Sequence, residues 1–246
     1  METVFSDSTQ VSVCMATFNG EQFIERQLRS ILQQLRSRDE LIISDDGSTD
    51  NTEAIITGIR DSRIRVCKNQ GRKGPVGNFE NALREASGKF IVLSDQDDVW
   101  LPGKMDAVLY ALKQADLVLT DCRVVNRHHE ILWPSFFKHR GSAPGFLRNL
   151  LKNSYVGCCM AFRREVLLYA LPFPKHIHMH DWWIGLLVEA KGRIVFLHEP
   201  MIEYVRHGSN ASPTGETSYS VYRQFVNRLM LLLNLVPRLL MTSRKS

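Results

Sequence analysis

The sequence predicts an α/β fold with a largely parallel central sheet. Two observations carry that expectation. Strand-like and helix-like segments alternate repeatedly over residues 10–121. Three polar clusters, Thr17/Asn19, Asp45/Asp46 and Asp95/Asp97, each fall where a strand should end, the edge at which open parallel sheets bind ligands.

Taken in order, residues 10–16 form an apolar β-type run that closes on the turn signal Thr17-Phe18-Asn19-Gly20. Ile24, Leu28, Ile31, Leu32 and Leu35 then recur at helical spacing. A second strand, 41–44, runs into Asp45-Asp46-Gly47-Ser48-Thr49-Asp50, and Asp50 with Glu53 has capping-box spacing for the helix expected to start there. Strand 63–67 leads to a glycine-rich loop (Gly71, Gly74, Gly77) and a helix over 79–87. Strand 89–94 ends on Asp95-Gln96-Asp97-Asp98, Pro102 suits the first turn of the next helix, and 117–120 is a fifth strand. Beyond 122 the pattern loosens into loops around 128–144, an apolar strand 156–162 and a helix from Asp181.

The composition, 44% hydrophobic and 23% charged over 246 residues, supports a core and excludes a disordered or collagen-like chain. The net charge of +5 would suggest nucleic acid. However, residues 217–246 hold no Asp or Glu but do hold Arg223, Arg228, Arg238, Arg244 and Lys245. The rest of the chain is therefore neutral, and no nucleic-acid partner is expected. Five cysteines without CxxC spacing point to reduced thiols rather than a disulfide framework or zinc knuckle. No secretory signal is visible at the start and no apolar window reaches ~20 residues, so a cytoplasmic location is expected.

Dinucleotide and P-loop fingerprints are absent. The informative segment is 90–98, where an apolar strand delivers Asp95, Asp97 and Asp98 within four residues. Carboxylates so crowded repel one another, and hard oxygen ligands of this kind suit Mg²⁺ or Mn²⁺ bridging to a diphosphate. Asp98 alone reads as a helix cap near Pro102. Asp45 and Asp46 fit either a turn or acceptors for a nucleotide's base and ribose. His176, His178 and His180 would share one face if extended, which leaves both packing and a transition-metal site open. Asp181 precedes Trp182 and Trp183. A carboxyl in such a partly apolar pocket titrates high enough to act as a base, and the tryptophans suit sugar stacking or core packing.

Four pieces, 11–20, Ser44-Asp45-Asp46-Gly47-Ser48-Thr49-Asp50, Ser94-Asp95-Gln96-Asp97-Asp98-Val99-Trp100 and His180-Asp181-Trp182-Trp183, together resemble the family-2 glycosyltransferases of the GT-A fold. The Asp-Gln-Asp-Asp-Val-Trp form is most similar to bacterial rhamnosyltransferases and related polysaccharide enzymes. The resemblance implies one GT-A domain over 1–215, with a nucleotide-binding half 10–121 and an acceptor half 122–215. It also implies inverting transfer from a nucleoside-diphosphate sugar, with dTDP-L-rhamnose a candidate, to a hydroxyl of a glycan or lipid-linked glycan. Asp181 would be the general base. Asp97, with Asp95, would hold the metal. Thr17, Asn19, Asp45, Asp46, Asn78, Asp95 and His207 would contact the donor, His207 near the diphosphate. Two other readings compete. One is a sugar-nucleotide-binding scaffold without catalysis. The other is a haloacid-dehalogenase-type phosphatase, whose nucleophile loop Asp95-x-Asp97-x-Val99 resembles, although no second adjacent Asp pair follows Asp98.

The segment 216–246 is expected to be a basic amphipathic helix. On a helical projection Arg223, Gln224, Asn227, Arg228, Asn234 and Arg238 fall within an arc of roughly 140°. Two destinations are open for 219–246: its wide apolar face packs on the domain or on a second subunit, or it lies on an anionic membrane surface.

Overall fold

The computed structural model describes residues 10–208, 210 and 220–243. The first half alternates as expected: β1 (Val11–Thr17), α1 (Ile24–Leu32), β2 (Glu40–Asp45), α2 (Thr52–Gly58), β3 (Ile64–Lys68), α3 (Pro75–Glu85) and β4 (Phe90–Asp95). A two-residue β5 (Val99–Trp100) and α4 (Lys104–Ala111) follow, then β6 (Leu117–Val125), β7 (Ile131–Trp133), α5 (Phe136–Arg140) and α6 (Phe146–Leu151). The chain continues through β8 (Met160–Arg163), α7 (Leu167–Ala170), α8 (His180–Lys191), β9 (Ile194–Val205) and α9 (Val221–Ser243).

The sheet runs β3-β2-β1-β4-β8-β6-β9-β5, with β7 paired to β6. β1 is parallel to β2 and β4, β2 to β3, and β6 to β9. β1, β2 and β4 are buried almost throughout, as strands covered on both faces must be, and that explains their near-continuous apolar runs. Their register is what builds the site. Thr17 lies beside Asp45 and Ala16 beside Asp95, so the three polar clusters emerge level with one another at one edge.

Several expectations need correction. The sheet is only largely parallel, because β8 inserts antiparallel between β4 and β6. Of the expected strand 156–162 only 160–162 is strand, since Gly157–Cys159 turns as a short 3₁₀ helix, and the strand runs on to Arg163. Helix α3 begins at Pro75, with Pro at its first position. Ahead of it Gly74 takes φ +89° and a side chain at Gly77 would overlap the Arg72 carbonyl. The glycine-rich loop is thus a tight turn against a helix. Asn51 rather than Asp50 stands at the N-cap of α2 and makes no side-chain cap, while Asp50 Oδ1 accepts from the Thr52 amide at 3.0 Å.

The tail helix α9 packs on α8, but with the face opposite to the one its composition suggests. Leu231 and Leu235 are buried. Around them the polar arc turns inward: Arg228 donates to the Leu151 carbonyl at 2.6 Å, and Arg238 to the carbonyls of Leu171 (2.9 Å) and Pro172 (2.8 Å). Arg244 and Lys245 lie outside the described residues. No helix among the described residues is long and apolar enough to cross a membrane.

Candidate active site

The donor-side candidates knit into a frame. Thr17, at the end of β1, is buried; its hydroxyl donates to Asp45 Oδ1 (3.1 Å) and its carbonyl accepts from Asn78 Nδ2 (3.0 Å). Asn19, at φ +47°, accepts from the Thr49 amide at 2.9 Å and so ties the β1 turn to the β2 turn. Asp45 accepts from Thr17 and the Ser48 hydroxyl at Oδ1, and from the Gly47 and Ser48 amides at Oδ2. Burial opposes its ionisation, but these donors outweigh burial and hold its carboxyl below the usual range. A carboxylate offers about four acceptor positions, so the frame uses all of them. Thr17, Asn19 and Asp45 hold the turn at the strand end where donor contacts are expected. Asn78 shares that task through Nδ2, yet its Oδ1 is buried without a partner. Asp46 keeps spare capacity: Asn69 reaches Oδ1 (2.7 Å), the Gly74 amide reaches Oδ2 (2.7 Å), and Lys73 lies 3.5 Å away. Phe18, which follows Thr17 at the end of β1, is 53% exposed.

At the end of β4, the side chain of Gln96 makes a contact that motif reading does not anticipate. Its Oε1 accepts from the Phe18 amide (2.9 Å) and its Nε2 donates to the Phe18 carbonyl (3.0 Å). The contact needs Gly20, because a Cβ there would overlap Gln96 Oε1. Asp97 Oδ2 lies 2.8 Å from His207 Nε2 and accepts from Asn210 Nδ2 at 3.2 Å. The His207 ring stacks on Phe23 with centroids 4.4 Å apart. Asp97 and His207 are 110 positions apart, which is why spacing alone could not pair them; Asn210 carried no signal.

Asp98 corrects another expectation. It is buried, its Oδ1 accepts from the Val205 amide (3.3 Å), and α4 is preceded by Gly103 rather than capped by a carboxylate. Burial, then Asp97 and Asp95, push its carboxyl well up, and its Oδ2 has no partner. Burial, then Asp97 and Asp181, likewise push Asp95 up. Behind them Lys104 is itself buried and donates to the Cys158 carbonyl at 3.0 Å. Ligand atoms of Asp95, Asp98 and Cys158 lie within 4.8 Å of one another. The Cys158 thiol, however, is held protonated by its contact with Cys159 and by burial, which makes it a poor ligand for a hard cation. Crowded carboxyls, an orphaned buried Asp98 oxygen and the Asp97–His207 pair together fit a divalent cation at this strand end.

Asp181 opens α8. It is buried, and burial lifts its carboxyl to about 7 against the Trp182 and Gly157 amides, which favour the ionised form. Its Oδ1 accepts from the Trp182 amide at 2.7 Å, and Asp95 is near enough to feel its charge. The neighbouring aromatics belong to the core. Trp182 donates to the Asn149 carbonyl (2.8 Å) and Trp183 to the Ala170 carbonyl (2.9 Å). His180 stacks on Phe79, and burial lowers it to about 3. No metal-ligand group among the described residues includes His176, His178 or His180.

Residues 12–168 match the model of glycosyl transferase family 2. The chain belongs to that family. Two Escherichia coli proteins named UDP-Glc:alpha-D-GlcNAc-diphosphoundecaprenol beta-1,3-glucosyltransferase are similar over 184 residues: WfaP at 38% identity (74% of this chain, 71% of that protein) and WfgD at 30% (74% and 70%). The dTDP-rhamnosyl transferase RfbG of Shigella flexneri is 26% identical over 214 residues, covering 80% of this chain and 72% of that protein. Among solved structures, S. aureus TarS 1–349 with UDP-GlcNAc superposes with TM-score 0.69 at 20% identity, covering 93% and 69%. Glucosyl-3-phosphoglycerate synthase from Mycobacterium tuberculosis, with Mn²⁺, UDP and glucosyl-3-phosphoglycerate, gives 0.58 at 19%, covering 94% and 80%. At these identities the likeness is one of fold, the GT-A fold. This glycosyltransferase family 2 chain acts on nucleotide sugars, and the phosphatase and inactive-scaffold readings give way to it.

Proposed function

We propose that the chain catalyses inverting transfer of a sugar from a nucleoside-diphosphate sugar to a hydroxyl of a lipid-linked glycan. The observation that carries this reading is Asp181: a buried carboxyl lifted to about 7 beside the acidic end of β4 suits a general base at neutral pH. Asp181 takes the proton of the acceptor hydroxyl as that oxygen attacks the anomeric carbon. The bond to the diphosphate breaks on the opposite face. Asp46 receives the base or ribose and Phe18 stacks on the base, within the frame of Thr17, Asn19, Asp45 and Asn78. This divides the labour between a donor half, 10–121, and an acceptor half, 122–215.

Asp97 and His207, with Asp95 behind, would hold Mg²⁺ or Mn²⁺. When bound, the ion neutralises charge on the departing diphosphate. The glucosyl-3-phosphoglycerate synthase structure containing Mn²⁺ and UDP supports the choice of ion. For the donor, the two E. coli relatives favour UDP-glucose, and RfbG keeps dTDP-rhamnose in the comparison. The E. coli relatives' acceptor, a sugar diphosphoundecaprenol, supports a lipid-linked acceptor at the cytoplasmic membrane surface. The test is a donor panel, UDP-glucose and dTDP-rhamnose first, scored by transfer to a lipid-linked GlcNAc acceptor. No transfer from any donor in the panel would count against the proposal.

A further inference from the structure

Helix α9 is mounted inside out. An amphipathic helix on a protein surface ordinarily buries its apolar stripe. Here Arg228 and Arg238 are bonded to main-chain carbonyls of the body, while Tyr222, Phe225, Leu229, Leu233, Val236 and Leu240 are exposed by 42–78%. These six follow one another at intervals of three or four residues, so they share one face. Helix α6 adjoins α9 and also exposes leucines. Leu147 and Leu151 are 72% and 66% exposed, and the Leu151 carbonyl is the group that Arg228 holds. An exposed apolar stripe of this length marks an interaction site.

We propose that this face, α9 with the outer side of α6, docks the chain onto the surface of an anionic lipid bilayer. Charge selects that occupant. The sequence from 217 onward carries no acidic residue, and while Arg228 and Arg238 turn to the body, Arg148, Lys152 and Arg223 are exposed on or next to the same two helices. An anionic surface complements that rim. A second copy docked through the same stripe about a twofold axis would instead set the basic rim against itself. The face lies at membrane depth only by shallow insertion, with Tyr222 suited to the headgroup level. Because α9 packs on α8, the helix that carries Asp181 in its first turn is braced directly by the docking element. The proposal concerns where the chain sits and holds whichever sugar it transfers.

The test is co-sedimentation of the full chain with phosphatidylcholine vesicles containing 30% phosphatidylglycerol, without donor, metal or acceptor. The intact chain is expected to bind them and to bind pure phosphatidylcholine at least tenfold more weakly. The pairs Phe225→Ser with Leu233→Ser, and separately Leu147→Ser with Leu151→Ser, are expected to lower binding at least tenfold with melting temperature unchanged. The second pair decides if the first lowers the melting temperature. Absence of vesicle binding by the intact chain would overturn the proposal. So would equal binding to neutral vesicles. A third contrary result is a dimer in sedimentation velocity that the serine pairs dissociate while vesicle binding stays intact, which would assign the face to a second copy.

Discussion

Replacing Asp181 by Asn separates the side chain's chemical role from the cost of keeping it buried. Burial raises the carboxyl from 3.8 to about 7. That is about three pH units at ~1.4 kcal/mol each, so ionised Asp181 weighs against the folded state by about 4 kcal/mol at pH 8. The sign follows from the raised folded value. The proton bound by the folded chain stabilises it fully below about pH 4, and this contribution is lost as pH rises through about 7. Asn has no charge to bury, but its amide presents a donor where one backbone amide needs an acceptor, which costs about 1–2 kcal/mol. The variant is therefore expected to be about 2 kcal/mol more stable than the parent at pH 8, roughly equal near pH 5, and less stable at pH 4. Urea denaturation across that range without added metal measures it. Glycosyl transfer by the same variant should fall ~10²–10⁴-fold with donor affinity kept. Equal destabilisation at every pH, or full transfer, would refute the argument.

Four further outcomes are expected. With saturating metal, kcat/KM should fall about tenfold per pH unit below about 7, as Asp181 becomes protonated and cannot accept the acceptor's proton; a profile flat to pH 5 would remove it as the base. His207→Ala and Asp97→Asn should each raise the Mn²⁺ concentration for half-maximal activity at least tenfold, and their effects should not add, because the side chains share one site. Gln96→Ala breaks two hydrogen bonds to Phe18 and should raise donor KM about tenfold with little change in kcat; steady-state kinetics would show otherwise if the clip is idle. Gly77→Ala forces a Cβ into the Arg72 carbonyl and should destabilise the fold by about 1–3 kcal/mol in urea.

Alternation of period made the first four strands and the strand-end placement of the acidic clusters legible, because parallel strands buried on both faces must be apolar until they leave the sheet. The second half was not legible for a physical reason. β9 carries Glu199, Pro200 and Glu203 within one strand, a pattern that reads as loop until its partner β6 is known, and β8 is only four residues long. At the site, residue types pointed to chemistry better than to roles. Asp45 and Asp46 are adjacent and alike, yet the four donors around Asp45 make it a turn clamp while Asp46 keeps room. Trp182 and Trp183 were equally suited to a sugar or a core, and their N–H partners, two main-chain carbonyls on α6 and α7, decide for the core. Periodicity likewise fixed which residues of α9 share a face. It could not say which face would meet the body, because the deciding partners are main-chain carbonyls at Leu151, Leu171 and Pro172.

The most direct measurement is nucleoside diphosphate release from UDP-glucose and dTDP-rhamnose, followed with and without a lipid-linked acceptor, in Mn²⁺ and then in excess chelator. The expected result is release from one donor that depends on the acceptor, disappears in chelator and is lost in Asp181→Asn. Release that continues undiminished in chelator, or in that variant, would contradict the account of Asp97, His207 and Asp181 given by the geometry.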